Sequence, residues 1–547
     1  MKALCLVLVS TALFAQQHAT KDDWPLYGGT DFSWRYSALD QINTGNVKKL
    51  VPAWVFQTGD YEMGLQATPI VVDGIIYLST SHNWVYAIEG TTGKPLWIYK
   101  YPNNPAGRSG YGAQNRGVAV AQGLVILGTL DNSVVALDQK TGREVWRVNV
   151  EDYRQCGCNI SAAPLIAGDK VVVGGTGGDS AHRGYLNAFD IKTGRLRWRF
   201  FVIPGPGEKG SETWAGESWK YGGGAPWMTG TYDPALNLIY WGTGNASSDL
   251  NGRGRQGDNL YTASVVAVDA DSGKVKWHYQ EIPHDSWDYD SAYEPMLIDL
   301  PVSGVQRKLI VHANKSGFAF VLDRTNGQLL RAFPYVKHIT WSAGMTEDGK
   351  IINRNEPDVG KTKLICPGSG GGRSWNHATY SPRTGFYYSP AVEWCSEETA
   401  FEQEADEGKG FIGGMWRGKH PPGEDSFSHI DAYDPVKGIK KWTYKTKYAL
   451  LASLLTTAGD LLFTGDPEGY FFALDARTGD KLWSFQTGSG LRGSPVTFRA
   501  NGRQYVVTPS GWGSLAAGGV SGLFPQDARL FRGGSALFAF ALPEDVK

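Results

Sequence analysis

The sequence predicts an all-β fold, an eight-bladed β-propeller with tryptophan-docking repeats, on three observations. A phrase of the pattern Ala-Leu-Asp-x-x-Thr-Gly-x-x-x-Trp, cleanest at Ala136–Trp146, occurs in seven copies. The copies are spread along the chain, and a phrase that returns every few dozen residues marks a repeat architecture rather than one globular core. The two ends carry complementary halves of a further unit: Val51-Pro-Ala-Trp54 is a final strand without its hairpin, and Ala536-Leu-Phe-Ala-Phe540 is a strand without its following Trp. Seven copies plus this split one give eight blades closed by joining the chain ends.

Each element has a local reason. At the start, Lys2 precedes an apolar stretch from Ala3 to Phe14, too short to span a bilayer and patterned as a secretion signal over 1–15, with cleavage near Ala15 and loss of Cys5. Residues 20–547 are then expected to form the single propeller. The repeats end at Trp97, Trp146, Trp198, Trp277, Trp442 and Trp483, with a degenerate copy at Asp323–Gly327 where Arg331 takes the Trp position. In each, a β-rich run such as Ser133–Leu137 enters a tight turn. The Asp bonds local backbone, Gly takes the positive-φ position and a second strand carries the Trp. Alternating runs such as Leu124–Gly128 and Lys170–Val173 supply the other strands. Length, 547 residues, is no argument for several domains, because a propeller grows by adding blades. A net charge of −1 argues against a nucleic-acid partner. Without Cys5, four cysteines remain, in a compartment that permits disulfides.

The segments between repeats carry a more specific signal. Trp24-Pro-Leu-Tyr-Gly28-Gly29, Trp227 followed by Tyr232-Asp-Pro, Trp241-Gly-Thr-Gly-Asn245 and Pro283-His-Asp-Ser-Trp287-Asp288-Tyr-Asp290, with the repeats, resemble the quinoprotein alcohol dehydrogenases, the methanol and ethanol dehydrogenase family that uses pyrroloquinoline quinone (PQQ). The resemblance covers nearly the whole mature chain. It implies that Trp227 forms an aromatic floor under the flat cofactor and that Arg116 and Lys315 hold its carboxylate and quinone oxygens through charge-assisted bonds. It further implies that Gln66, Ser161, Thr176, Gly177, Gly178 and Trp375 contact it.

The same resemblance implies a hard cation on oxygen ligands, with Asp179, Asn245 and Asp288 at the metal positions. Asp290 adds to this set. In extended backbone, side chains two apart point the same way, so Asp288 and Asp290 face one ion, and their shared ionisation needs positive charge. Within the family an Asp at this place marks lanthanide-using members, so a lanthanide is favoured over Ca²⁺. The competing reading of Asp285, Asp288 and Asp290 is a solvated acidic loop.

Several positions depart from the family. Asp179 replaces a usual Glu, which leaves direct or water-mediated ligation open. Gly110 and Tyr111 stand where relatives carry an adjacent cysteine pair, so that disulfide ring is excluded and Tyr111 is a candidate cover for the cofactor. Gln66 replaces Glu, and Ser374 replaces Asn. Cys366 and Cys395 match a family disulfide, whereas Cys156 and Cys158 are left over, either bonded to each other or reduced near the cofactor face.

The activity implied is oxidation of an alcohol to an aldehyde, with Asp288 as general base, the metal as Lewis acid and the quinone as hydride acceptor. No Cys-x-x-Cys-His occurs, so a separate soluble cytochrome c is the expected electron acceptor, in the periplasm. A quinoprotein acting on sugars, polyols or aldehydes, and a non-enzymatic scaffold propeller, are the other readings. Oligomeric state stays open, a homodimer included.

Overall fold

A computed structural model describes residues 22–102, 112–424 and 427–544. The expected leader with Cys5, and Gly110 and Tyr111, lie outside the described residues. Among the described residues eight sheets of blade type are present, each a run of four antiparallel strands. They span residues 70–100, 119–149, 165–201, 231–280, 296–334, 379–446 and 455–486, the eighth being 496–541 together with 51–57. Val51–Gln57 pairs antiparallel with Ala536–Ala541, Phe56 opposite Leu537, so the strand that completes the last blade comes from the other end of the chain. Tyr36–Ser37 adds a parallel strand to the blade at 455–486.

Burial follows strand position. The second and third strands of a blade, Leu124–Gly128 and Ser133–Asp138 for example, are buried almost throughout, because both faces pack on neighbouring blades. The fourth strand, Glu144–Asn149, alternates exposed and half-buried residues and forms the outer edge. Its tryptophan reaches across to the next blade. Trp146 Nε1 donates to the Ile191 carbonyl at 2.9 Å, and the indole lies where a Cβ on Gly194 would stand 2.7 Å away. Gly194 has φ +68°, so a side chain is excluded there by conformation and by contact together. Trp54, Trp97, Trp198, Trp277 and Trp442 repeat this docking onto Gly93, Gly142, Gly273, Gly327 and Gly479. Trp483 closes the circuit on the Leu50 carbonyl at 3.1 Å. The turn chemistry is as the residues require: Asp138 Oδ1 accepts from the backbone N–H groups of Lys140 and Thr141 and from the Thr141 hydroxyl.

The degenerate repeat docks through a different residue. Arg331 does hold the Trp register, opposite Val321, but it bonds Glu347 and the Lys437 carbonyl. The ring that covers Gly438 is Phe333, two residues on and therefore on the same strand face, with Cγ 2.6 Å from a Cβ built there.

Insertions decorate this ring. A three-stranded sheet, Thr362–Ile365, Cys395–Ala400 and Gly414–Lys419, lies off the blade at 379–446. The Cys366–Cys395 disulfide ties its first two strands. A helix, Leu515–Leu523, sits between the second and third strands of the eighth blade.

Candidate active site

The site is assembled from two kinds of segment. Gln66, Ser161, Trp227 and Trp375 each lie four residues before the first strand of a blade, and Arg116 lies three before. Thr176–Asp179, Asn245 and Lys315 follow the second strands Lys170–Gly174, Leu238–Gly242 and Val305–Ala313. Neighbouring strands run antiparallel, so lead-ins to first strands and exits from second strands share one end of the propeller. Residues scattered over some 300 positions thereby meet.

One cavity is lined by Arg116, Ser161, Thr176, Gly177, Gly178 and Asp179 and also by Trp227, Asp288, Asp290 and Lys315. It is continuous through Arg116, Trp227, Asp288, Asp290 and Lys315 with a second lobe that contains Trp375, Arg373 and Arg492. Asn245 and Gln66 stand just outside this lining, buried at 1 % exposure each. Asn245 Oδ1 nonetheless lies 2.9 Å from a Cβ built on Gly178, so the amide oxygen borders the same corner as Asp179.

Lys315 Nζ bonds Asp288 Oδ2 at 2.8 Å and Asp290 Oδ2 at 3.3 Å, so the two carboxylates do face one point. Asp290 Oδ1 accepts from Trp227 Nε1 at 2.9 Å and from the Asn245 backbone N–H at 3.3 Å. Asp288 is held at φ +64°, uncommon for a residue with a side chain. Asp249, four residues after Asn245, is buried and accepts from Asn245 Nδ2 at 2.9 Å. Burial, then the charges of Asp179 and Asp288, raise Asp249 well above the ordinary carboxylate range. Burial and Asp290 raise Asp179 to about 6. Burial also raises Asp288, where Lys315 opposes it and Asp290 and Asp179 reinforce it. Burial alone would depress Lys315, but Asp288 and Asp290 outweigh it and raise it.

Asp285 is not part of this group. It is fully buried and braces the turn by accepting from the backbone N–H groups of Trp287 (3.1 Å) and Tyr289 (2.9 Å). With Asp290 also buried, the reading of these aspartates as a solvated loop fails. Cys156 and Cys158 are bonded to each other, so the pair left open by the sequence is closed in this structure.

The opposite wall is cationic. Arg116 is buried and donates to Ser161 Oγ at 2.5 Å and Gln114 Oε1 at 2.9 Å, with its guanidinium 5.1 Å from the Trp227 ring centroid and 5.2 Å from that of Trp375. Arg373 and Arg492 are buried beside it. Among the described residues none of the three has a carboxylate within ion-pair distance. Burial pulls Arg116 down to about 10; burial and then the charge of Arg116 pull Arg492 to about 9. Several buried polar atoms lack a hydrogen-bond partner as well: both amide atoms of Gln66, Arg116 Nε, Arg492 Nε and Trp375 Nε1. Buried donors and uncompensated cations are expensive unless a ligand satisfies them. A flat polyanion with carbonyl acceptors fits this wall, and a multivalent cation fits the aspartate wall facing it.

Asp249, Arg373 and Arg492 escaped the sequence reading. For Arg492 a signal existed: it precedes the strand Val496–Ala500 by four residues, the offset shared by Gln66, Ser161, Trp227 and Trp375.

Comparison with known proteins agrees with this geometry. A family model described as glucose/ethanol/alcohol dehydrogenase, beta-propeller domain, matches residues 24–336 and 434–506. The quinoprotein alcohol dehydrogenase PedH of Pseudomonas putida is 39 % identical over 542 residues, 94 % of this chain and 90 % of that protein. The lanthanide-dependent methanol dehydrogenase of Methylacidiphilum fumariolicum is 36 % identical over 538 residues, 92 % and 87 % of the two chains. The solved structure of a europium-containing methanol dehydrogenase superposes with a TM-score of 0.90 at 34 % identity, covering 95 % of this chain and 98 % of that one. Matched across most of its length in sequence and in backbone, the chain belongs to the PQQ-dependent quinoprotein alcohol dehydrogenases.

Proposed function

We propose that this enzyme oxidises primary alcohols to aldehydes in the periplasm, with PQQ and one lanthanide ion, and hands electrons to a separate cytochrome c. PQQ, when bound, supplies the two-electron oxidising capacity. The chain's own residues do the rest. Arg116 and Lys315, with Arg373 and Arg492 as additional charge, hold the polyanion, and Trp227 and Trp375 offer ring faces to it. Gln66, Ser161, Thr176 and the backbone at Gly177 and Gly178 supply polar contacts. Asp288, at the junction of the two lobes, takes the proton of the substrate hydroxyl, a role suited to a carboxylate raised by burial. Asp179, Asn245, Asp288 and Asp290 would hold the cation.

One observation carries the metal assignment. Four carboxylates, Asp179, Asp249, Asp288 and Asp290, gather at one corner, where Lys315 touches Asp288 and Asp290 and Arg255 acts by charge on Asp249, so acidic groups outnumber cations there. An excess of carboxylate oxygens of this kind suits a trivalent ion better than Ca²⁺. The second lobe is lined by Trp394, Trp416, Leu451 and Leu515, an apolar surface that suits alcohols with hydrocarbon chains better than sugars. The periplasmic reading draws on the leader-like start and the two disulfides. Among the described residues no helix is long and apolar enough to cross a membrane.

The test is dye-linked activity of apoprotein given PQQ with either La³⁺ or Ca²⁺, across a short alcohol series. La³⁺ should support the faster turnover, and Asp290→Ala should lose La³⁺-dependent activity at least tenfold more than any Ca²⁺-dependent remainder. A parent enzyme indifferent to La³⁺ would remove the lanthanide assignment.

A further inference from the structure

Behind the cavity wall at Gly177 lies a group of metal-ligating side chains that alcohol oxidation does not use. Cys156, Cys158 and His182 are buried, at 1, 0 and 9 % exposure. Their two sulfurs and a ring nitrogen of the histidine lie within 4.8 Å of one another.

Three features make this more than a chance cluster. His182 Nε2 is held by Glu151 Oε1 at 3.4 Å, while Nδ1 is buried with no hydrogen-bond partner. A carboxylate behind an imidazole is the arrangement that orients a ligating histidine and fixes which nitrogen is free. A ring nitrogen of His182 lies within 4.8 Å of both sulfurs, and Nδ1 and Cys158 Cβ both border Gly177, 3.8 and 3.4 Å from a Cβ built there. The sulfurs are also surrounded by donors suited to thiolates. The Cys158 backbone N–H points at Cys156 Sγ (3.2 Å), Asn132 Nδ2 lies 3.8 Å from the same atom, and Tyr185 Oη lies 3.6 Å from Cys158 Sγ.

Cys156 and Cys158 are joined in the structure, and in that state the sulfurs are no thiolate ligand set. We propose that reduction of this bond opens a Cys₂His site for a thiophilic d¹⁰ cation, Zn²⁺ or Cu⁺, bound by both Sγ atoms and His182 Nδ1 and reached through the cofactor cavity at Gly177. The chemistry balances simply. A dithiol reductant supplies two electrons and two protons and leaves as its own disulfide; the cation then displaces two thiol protons to solvent. Two sulfurs and an imidazole select a soft or borderline ion and reject the hard ion suited to the all-oxygen site. The two sites therefore take different metals.

The experiment uses full-length protein, reduced with dithiothreitol and desalted anaerobically, beside unreduced protein. Each is titrated with Zn²⁺ while accessible thiols are counted, and Co²⁺ is then used in place of Zn²⁺ to read the ligand type by absorbance. The reduced protein should bind one Zn²⁺ per chain more than the unreduced protein, shield two thiols on doing so, and give a sulfur-to-cobalt charge-transfer band. Glu151→Gln should weaken binding about 10–100-fold, His182→Ala should abolish it, and Asp290→Ala should leave it intact. The comparison of reduced and unreduced parent enzyme needs no variant, so a misfolded His182→Ala does not spoil the test. Equal Zn²⁺ uptake in both redox states, thiols that stay reactive at saturating Zn²⁺, or a cobalt spectrum without the sulfur band would overturn the proposal.

Discussion

Asn245 shows how a single side chain depends on a partner the sequence does not advertise. Its amide must present oxygen, not nitrogen, to the acidic corner, and the bond from Nδ2 to Asp249 at 2.9 Å fixes that choice. Asp249→Asn keeps the size but allows the amide of Asn245 to turn. Metal affinity should fall about 10–100-fold by calorimetric titration while PQQ uptake in excess metal is retained. A second residue-scale consequence lies in the blade at 379–446. His429 is buried between Asp431 (3.0 Å) and Glu393 (3.0 Å). Burial alone would depress His429, but these two carboxylates outweigh it and raise it to about 9; burial alone would raise Asp431, but His429, with Thr443 and Lys440, outweighs it and lowers it to about 2. A histidine raised from 6.5 stabilises the fold fully below that pH, and the gain is lost as pH rises through 9. The aspartate's contribution is present above 3.8 and is lost only as pH falls through 2. Thermal stability should therefore drop between pH 6.5 and 9, by up to about 3 kcal/mol, and His429→Gln should flatten that slope in a calorimetric pH series.

At the scale of the element, the unit of cohesion is an outer-strand ring laid on the next blade's turn glycine. The degenerate repeat separates the sequence position from the physical job. Phe333, not Arg331, covers Gly438. Phe333→Ala should cost about 3 kcal/mol in denaturant unfolding, whereas Arg331→Ala, which removes an exposed pair with Glu347, should stay within about 0.5 kcal/mol. Equal effects of the two would mean that the ring over Gly438 does not carry the docking. The repeats themselves were legible in the sequence because each is local: Asp138, Thr141 and Gly142 make their turn with neighbours a few residues away. Arg331 keeps the aligned position, as the sequence indicates, while the packing job passes to the apolar ring two residues on along the same face.

For the whole molecule, closure decides stability. The strand Val51–Gln57 completes the last blade, and Trp483 docks on the residue just before it. A chain lacking residues up to 57 leaves Ala536–Ala541 as an unpaired edge, which is a template for association. Such a truncated form should sediment as aggregates or oligomers, and adding the missing strand as a separate peptide should restore a lower-order species.

What the sequence determined by itself is periodic or local. The propeller, its split blade, the docking tryptophans and the Asn245 and Asp288 motifs follow from turn chemistry, strand alternation and short motifs, each readable within a dozen residues. Tertiary structure alone decided convergence. Only the shared end of antiparallel strands brings Arg492 to Arg116, sets Asp249 behind Asn245, removes Asp285 to a turn and places His182 beside Cys156 and Cys158. Contacts between residues far apart in the chain leave no local trace, because neither partner needs the other until the ring is closed.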